Sequence, residues 1–445
     1  MTDMRNGSGR NPRIVGHVTL ADRRAFLLGS AALGAAAAVG LGTRRVRAQE
    51  RAEISFASAA FFGSETFGDL AKAYNEAQDR VKVTYINLPP PSSSTEVYQG
   101  LVQQLARRTG TPDVFSQDVI WIAGFAAAGW ALPLDEYFPA DKRGDYFPGT
   151  IAACTYGGKL TALPWFLDTG MLYYRKDLVD KHGGKAPTTW DELTEMASAA
   201  QKAKEVEFGY VWQGKQAEVL ICDAVEVIGS NKGAILSPDG KSCTINSPEG
   251  VAAIQFLHDT INKTKISPKD VLSWDEEPSR QPFTAGQSMF MRNWSYAYPI
   301  SQDAKVSQIA GKVGVAPLPA FAGGKSSACL GGYQLGVNAN SKKREAAIDF
   351  LTWLSSAETQ RRIAINFGLG PTRPALYKDQ KIASENPFMA GLEPVFSGAT
   401  PRPVTPDYAK VTLALQSGLS KALLSGEVKK ELDAVADRVN TIVGG

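Results

Sequence analysis

Ala52-Glu53-Ile54-Ser55-Phe56-Ala57, Val81-Lys82-Val83-Thr84-Tyr85-Ile86 and Pro112-Asp113-Val114-Phe115 are the runs on which the fold turns. The first two alternate apolar and polar residues, the period of a strand with one buried face. The third is a short apolar run of the kind found in buried strands. Between them lie two helical segments. Phe67–Gln78 gathers Leu70, Ala71 and Tyr74 on one face, and Thr95–Arg108 follows the stiff turn Pro89-Pro90-Pro91-Ser92-Ser93-Ser94. Strand, helix, strand, helix, strand in that order predicts an α/β fold, with a parallel sheet carrying helices on its faces.

The same grammar returns further on. Thr188-Thr189-Trp190-Asp191-Glu192-Leu193 places a capping residue before acids and predicts a helix to about Lys204. Phe208-Gly209-Tyr210-Val211-Trp212 reads as a strand, and Ser247-Pro248-Glu249 opens another helix with proline at its first position. Gly311–Pro317 reads as a strand and Lys342–Ser356 as an amphipathic helix. From Asp407 to Val443 the chain is helical apart from the Gly426 region. With 445 residues, 44% of them hydrophobic, and no low-complexity linker, the chain is expected to form two similar α/β lobes.

The net charge of +3 is an average over unlike parts. Residues 1–48 hold eight arginines against two aspartates, so that segment carries +6 and the remainder −3. The segment reads as an export leader, with arginines up to Arg24, an Ala/Gly-rich apolar run from Ala25 to Gly42, and the small residues of Val46-Arg47-Ala48. Asp22-Arg23-Arg24-Ala25-Phe26-Leu27-Leu28 is similar to a twin-arginine signal, departing from it at Asp22 and Leu28. Cleavage near Ala48 would leave a periplasmic protein beginning near Gln49. Its cysteines are Cys154, Cys222, Cys243 and Cys329. Cys222 and Cys243, near each other in sequence, are the pair expected if a disulfide forms; buried free thiols are the alternative.

Several chemistries are excluded. The mature chain holds only His182 and His258 and carries no G-x-S-x-G motif, which speaks against a Ser-His-Asp or Cys-His catalyst, and the cysteine spacings are not those of a zinc site. Gly324-Lys325-Ser326 lacks the earlier glycine of a phosphate-binding loop, because Pro319 stands there. A working charge of −3 gives no basic face for nucleic acid. No cofactor and no metal are expected. What remains is many carboxylates with 8 Trp, 14 Tyr and 19 Phe. That mix suits sugars, whose hydroxyls bond to charged groups and whose C–H faces pack on rings.

Six segments occur in an order that is similar to a known family: Trp121–Leu134, Leu163–Leu178, Pro187–Leu193, Phe283–Trp294, Leu330–Val337 and Arg402–Tyr408. Together they resemble the extracellular solute-binding proteins of ABC sugar importers, most nearly the trehalose/maltose-binding branch. The resemblance implies a two-lobed periplasmic binding protein fold of type II, maltose-binding-protein-like, with a ligand cleft between lobes. It places the lobes at 49–162 plus 316–356 and at 163–315 plus 357–445, with crossings near Leu160–Pro164, Val315–Pro319 and Ser355–Glu358. It implies a carbohydrate ligand, an α-glucoside such as trehalose or maltose, and a membrane permease as partner for a monomeric, non-enzymatic protein.

The cleft residues carried over by the resemblance are Glu65, Asp118, Asp168, Trp294, Tyr296, Gly332, Tyr333 and Arg402. The carboxylates are hydroxyl acceptors. Trp294 and Tyr296 are stacking rings. Gly331-Gly332-Tyr333 offers backbone N–H groups and a ring where the family often has Trp. Arg402, stiffened by Pro401 and Pro403, offers a guanidinium fork for vicinal hydroxyls. Phe62, Ser116, Gln117 and Trp165 are weaker candidates. Two alternatives stay open: an anionic or glycerol-linked sugar, for which Arg292 would have to face the cleft, and a glycoside hydrolase using two of Glu65, Asp118 and Asp168.

Overall fold

The computed structural model of the protein describes residues 51–60, 66–397 and 399–444. The leader, Phe62 and Glu65 therefore lie outside the described residues.

The opening runs form a sheet whose strand order is Val81–Leu88, Ala52–Ala59, Val114–Asp118, Tyr333–Val337, Leu163–Pro164. Ala52–Ala59 lies parallel to both of its neighbours, as the βαβ order requires. The expected all-parallel sheet needs one correction. Tyr333–Val337 enters antiparallel to Val114–Asp118, pairing Tyr333 with Asp118 and Val337 with Val114. It can do so because it arrives from far along the chain rather than through a crossover helix. Helix Phe67–Ala77 buries Phe67, Leu70, Ala71 and Tyr74 against this sheet, and Thr66 and Asp69 close a reciprocal cap at its start.

A second sheet runs Val313–Ala316, Met171–Arg175, Ser288–Asn293, Phe208–Val211. Only the last pair is parallel. Helix Trp190–Lys202 starts at the Thr189 cap that its sequence announces. Helix Glu218–Ser230 is buried nearly all round. Helices Tyr408–Ser425 and Val428–Val443 end the chain, separated by Gly426 at φ +76°, where a left-handed backbone suits glycine. Gly324-Lys325-Ser326 is loop, as its reading predicts.

A third, small sheet of Leu330–Gly331, Phe166–Thr169 and Gly370–Pro371 stands where the chain passes between the other two. Leu163–Pro164 belongs to the first sheet, so the crossing there follows Pro164, and Ala316 still pairs in the second sheet. All four cysteines are buried free thiols, so the expected Cys222–Cys243 bond is absent; the Cys222 thiol meets Cys329 instead. Among the described residues, no helix is long and apolar enough to cross a membrane.

Candidate functional site

Asp118 is the last residue of its strand, where the peptide ladder stops and side chains open outward. Its Oδ1 accepts from the Ile120 backbone N–H at 3.3 Å and from Arg402 Nη2 at 2.7 Å. Arg402 Nη1 donates to Glu218 Oε1 at 2.9 Å. One guanidinium thus joins the first sheet to the start of helix Glu218–Ser230. Tyr408 and Thr412 hydroxyls also donate to Glu218, at 2.5 and 2.6 Å. Burial, more than any other effect, raises the Glu218 carboxyl above its ordinary range, with Arg402 opposing. The Arg402 fork, expected to suit vicinal hydroxyls, here meets protein carboxylates. Both terminal nitrogens are committed to carboxylates, and the buried Nε lacks a partner.

Asp168 sits in the small central sheet, 7% exposed. Its Oδ1 accepts three hydrogen bonds, from Ser295 N at 2.9 Å, Ser295 Oγ at 2.8 Å and Thr169 N at 2.9 Å. Burial outweighs these donors and lifts the carboxyl to about 6. Asp168 therefore braces the Trp294–Tyr296 turn as well as bordering the cavity. Trp294 Nε1 donates to Glu276 Oε1 at 3.2 Å, and the Arg292 guanidinium carbon lies 4.0 Å from the Trp294 ring centroid. The Tyr296 hydroxyl donates to Glu277 Oε1 at 2.9 Å. The Tyr333 ring meets Trp121 edge-on at 5.8 Å and stacks on Phe166 at 6.1 Å.

Gly332 is hemmed in by its neighbours. At φ +106°, a side-chain carbon there would come 2.3 Å from the Phe166 carbonyl oxygen and 2.8 Å from Leu167 Cα. The close approach is to the neighbouring strand.

Asp118, Asp168, Trp294, Tyr296, Gly332, Tyr333 and Arg402 all border one cavity, with about 690 Å³ of space free of protein atoms including its open mouth. Ser116 and Trp165 do not border it: Ser116 Oγ bonds to Ser58 Oγ at 2.8 Å, and Trp165 is buried among Phe56, Phe67 and Phe166. Gln117 is likewise fully buried away from the cavity.

Arg292 is also corrected as an anion receptor. It is fully buried, its Nε and Nη2 donating to Glu226 at 2.8 and 2.5 Å and its Nη1 to Gln213 at 3.2 Å. Arg402 is then the single cation on the cavity wall among the described residues.

Sequence reasoning passed over Glu218 and Glu276, which also line the cavity. Burial raises the Glu276 carboxyl, and its Oε2 has no partner. Glu218 stands next to Val219-Leu220-Ile221, and a carboxylate in so apolar a stretch needs a partner, a signal that could have found it. Glu276 carries no such signal, because it lies in a polar run. Among the described residues no group of acids, histidines or cysteines could hold a metal ion.

Residues 63–361 match the family model described as "Bacterial extracellular solute-binding protein". A "Probable ABC transporter-binding protein" of Deinococcus radiodurans is 39% identical over 371 residues, covering 80% of this chain and 86% of that protein. The solved structure of maltose-bound MalE3 from T. maritima is also 39% identical, covering 88% of this chain and all of that one, with a TM-score of 0.81. A "Mannitol-binding protein" of Pseudomonas aeruginosa is 23% identical over 322 residues, covering 71% of this chain and 72% of that protein.

Proposed function

We propose that this chain, which belongs to the bacterial extracellular solute-binding proteins, captures a neutral sugar in its cavity and hands it to the membrane permease of an ABC importer. The carrying observation is the cavity wall itself. Carboxyls from Asp118, Asp168, Glu218 and Glu276 stand around Trp294, Tyr296 and Tyr333, with one guanidinium already neutralised by two of the acids. Such a wall offers hydrogen bonds to hydroxyls and ring faces to C–H groups, and no uncommitted positive charge to hold an anion.

An α-glucoside such as maltose or trehalose is the solute this reading favours. Its support is the 39% identity to a protein whose structure holds maltose; the more distant relative named for mannitol marks polyols as the next class to try. The two large sheets belong to two lobes, with crossings after Pro164, after Ala316 and at Ser355–Ser356, and binding closes the lobes by shifting a population of open and closed forms. The Asp118–Arg402 bond spans that closure. Capture needs no bond to be broken. The protein acts after export, as a monomer in the periplasm, its leader removed near Ala48.

Intrinsic tryptophan fluorescence and thermal shift across a panel of maltose, trehalose, mannitol and sugar phosphates test this. A solute at 100 times its Kd adds roughly 2.7 kcal/mol of stability. No shift with any sugar or polyol would sink the carbohydrate reading, and tightest binding of a sugar phosphate would replace neutral by anionic. Appearance of free glucose from a glucoside would revive the hydrolase alternative.

A further inference from the structure

Cys222 lies on helix Glu218–Ser230 and borders the cavity between Glu218 and the second buried acid, Glu226. Glu226 stands one turn further along the same face of that helix. Its Oε1 accepts the backbone N–H of Cys329 at 3.1 Å. This anchors the Cys329 backbone one helical turn from Cys222, and after burial the Cys329 thiol is the neighbour that acts most strongly on the Cys222 thiol. Cys329 leads directly into Leu330–Gly331, which pairs with Phe166–Thr169 beside Asp168. Both residues are almost fully buried, Cys222 at 2% and Cys329 at 0% exposure.

We propose that Cys222 and Cys329 are a dithiol that closes to a disulfide in the wall of the cavity when the protein meets a small disulfide oxidant. The step is thiol–disulfide exchange. The Cys222 sulfur, the one that borders the cavity, attacks one sulfur of the oxidant, and the other leaves as a thiolate that takes up the Cys222 proton. Cys329 then attacks the Cys222 sulfur, its proton passing to the second leaving thiolate. Two protein thiols are oxidised, one oxidant disulfide is reduced to two thiols, and no atom of the oxidant stays on the protein. Burial raises the Cys222 thiol well above its ordinary range, so exchange is slow compared with an exposed cysteine. The bond would tie helix Glu218–Ser230, which carries Glu218, to the strand that leads to Gly332 and Tyr333.

The test uses the mature chain without its leader, folded, in oxidised glutathione. Thiols are then counted after denaturation in the presence of an alkylating reagent, and the linked peptides are identified by mass spectrometry. Two of the four thiols are expected to disappear, with Cys222 and Cys329 in one linked peptide and no glutathione attached. The variant C243S should still lose two thiols, whereas C222A and C329A should lose none to an internal bond. The oxidised protein should melt at or above the temperature of the reduced one, and dithiothreitol should reverse the change. Four free thiols after prolonged oxidation, a link to Cys154 or Cys243, or a fall in melting temperature would each overturn the pairing. None of these readouts depends on which solute binds, so a failed sugar panel leaves this test standing.

Discussion

Arg292 and Arg402 are both buried arginines held by carboxylates, yet they do opposite things. Arg292 sits behind the cavity, its terminal and inner nitrogens all donating, to Glu226 and Gln213. Asp223 stands 3.8 Å away, and burial raises its carboxyl well above the ordinary range, with Arg292 opposing and Glu226 adding to the rise. The guanidinium is closed off chemically and supports the Trp294 ring. Arg402 is on the cavity wall, divides its terminal nitrogens between two distant carboxylates, and leaves Nε over. A satisfied buried charge holds a fold in one arrangement. An incompletely satisfied one at a cavity leaves a polar atom for something else to meet.

The contrast can be broken most directly at Arg292. Arg292→Met strips Glu226 of its counter-ion, and a loss of about 3–5 kcal/mol of folding stability is expected in urea unfolding. A loss below about 1 kcal/mol would erase the distinction.

Asp168 comes next. Its folded-state carboxyl titrates at about 6, above the ordinary 3.8. The folded protein therefore binds the proton more tightly than the unfolded chain, so the contribution of Asp168 to stability is fully present below about pH 4. It is lost as pH rises through 6, by up to about 3 kcal/mol. Asp168→Asn should remove that slope, measured as the difference in unfolding free energy from wild type between pH 4 and 7. An unchanged slope would show that the burial is relieved by the cavity.

Arg402→Met tests the other half of the comparison. Glu218, already raised by burial, can take a proton when its partner goes, so the fold should persist, while sugar affinity falls roughly ten- to a hundredfold, about 1.4–2.8 kcal/mol. Calorimetric titration with the best sugar of the panel reads this; unchanged affinity would remove Arg402 from the site. The smallest effect sets the floor. Thr189→Ala removes a helix cap that does not border the cavity and should cost about 1 kcal/mol in thermal unfolding with no change in affinity.

Much of this arrangement could be read before any coordinates. Ala52–Ala59 and Val81–Leu88 alternate because one face is buried, and the helix starts at Thr189 and Ser247 are announced by their caps. Seven of the residues carried over by resemblance border one cavity. What they do there was less legible. Gly332 makes room for Phe166, Asp168 braces Ser295, and Arg402 is engaged by acids 184 and 284 residues away. Glu276 was invisible because a carboxylate in a polar run looks like surface.

By itself, the sequence determined the alternation of strands and helices and the ends of the helices. These are local matters, since side-chain direction repeats every two residues in a strand and every 3.6 in a helix. Tertiary structure alone decided that Tyr333–Val337 runs antiparallel beside Asp118, that Cys222 meets Cys329 rather than Cys243, and that one buried arginine supports a ring while the other faces a cavity. Each depends on which distant segment the chain brings back. Burial then sets the chemistry of the group, because a charge removed from water is governed by the few neighbours it meets.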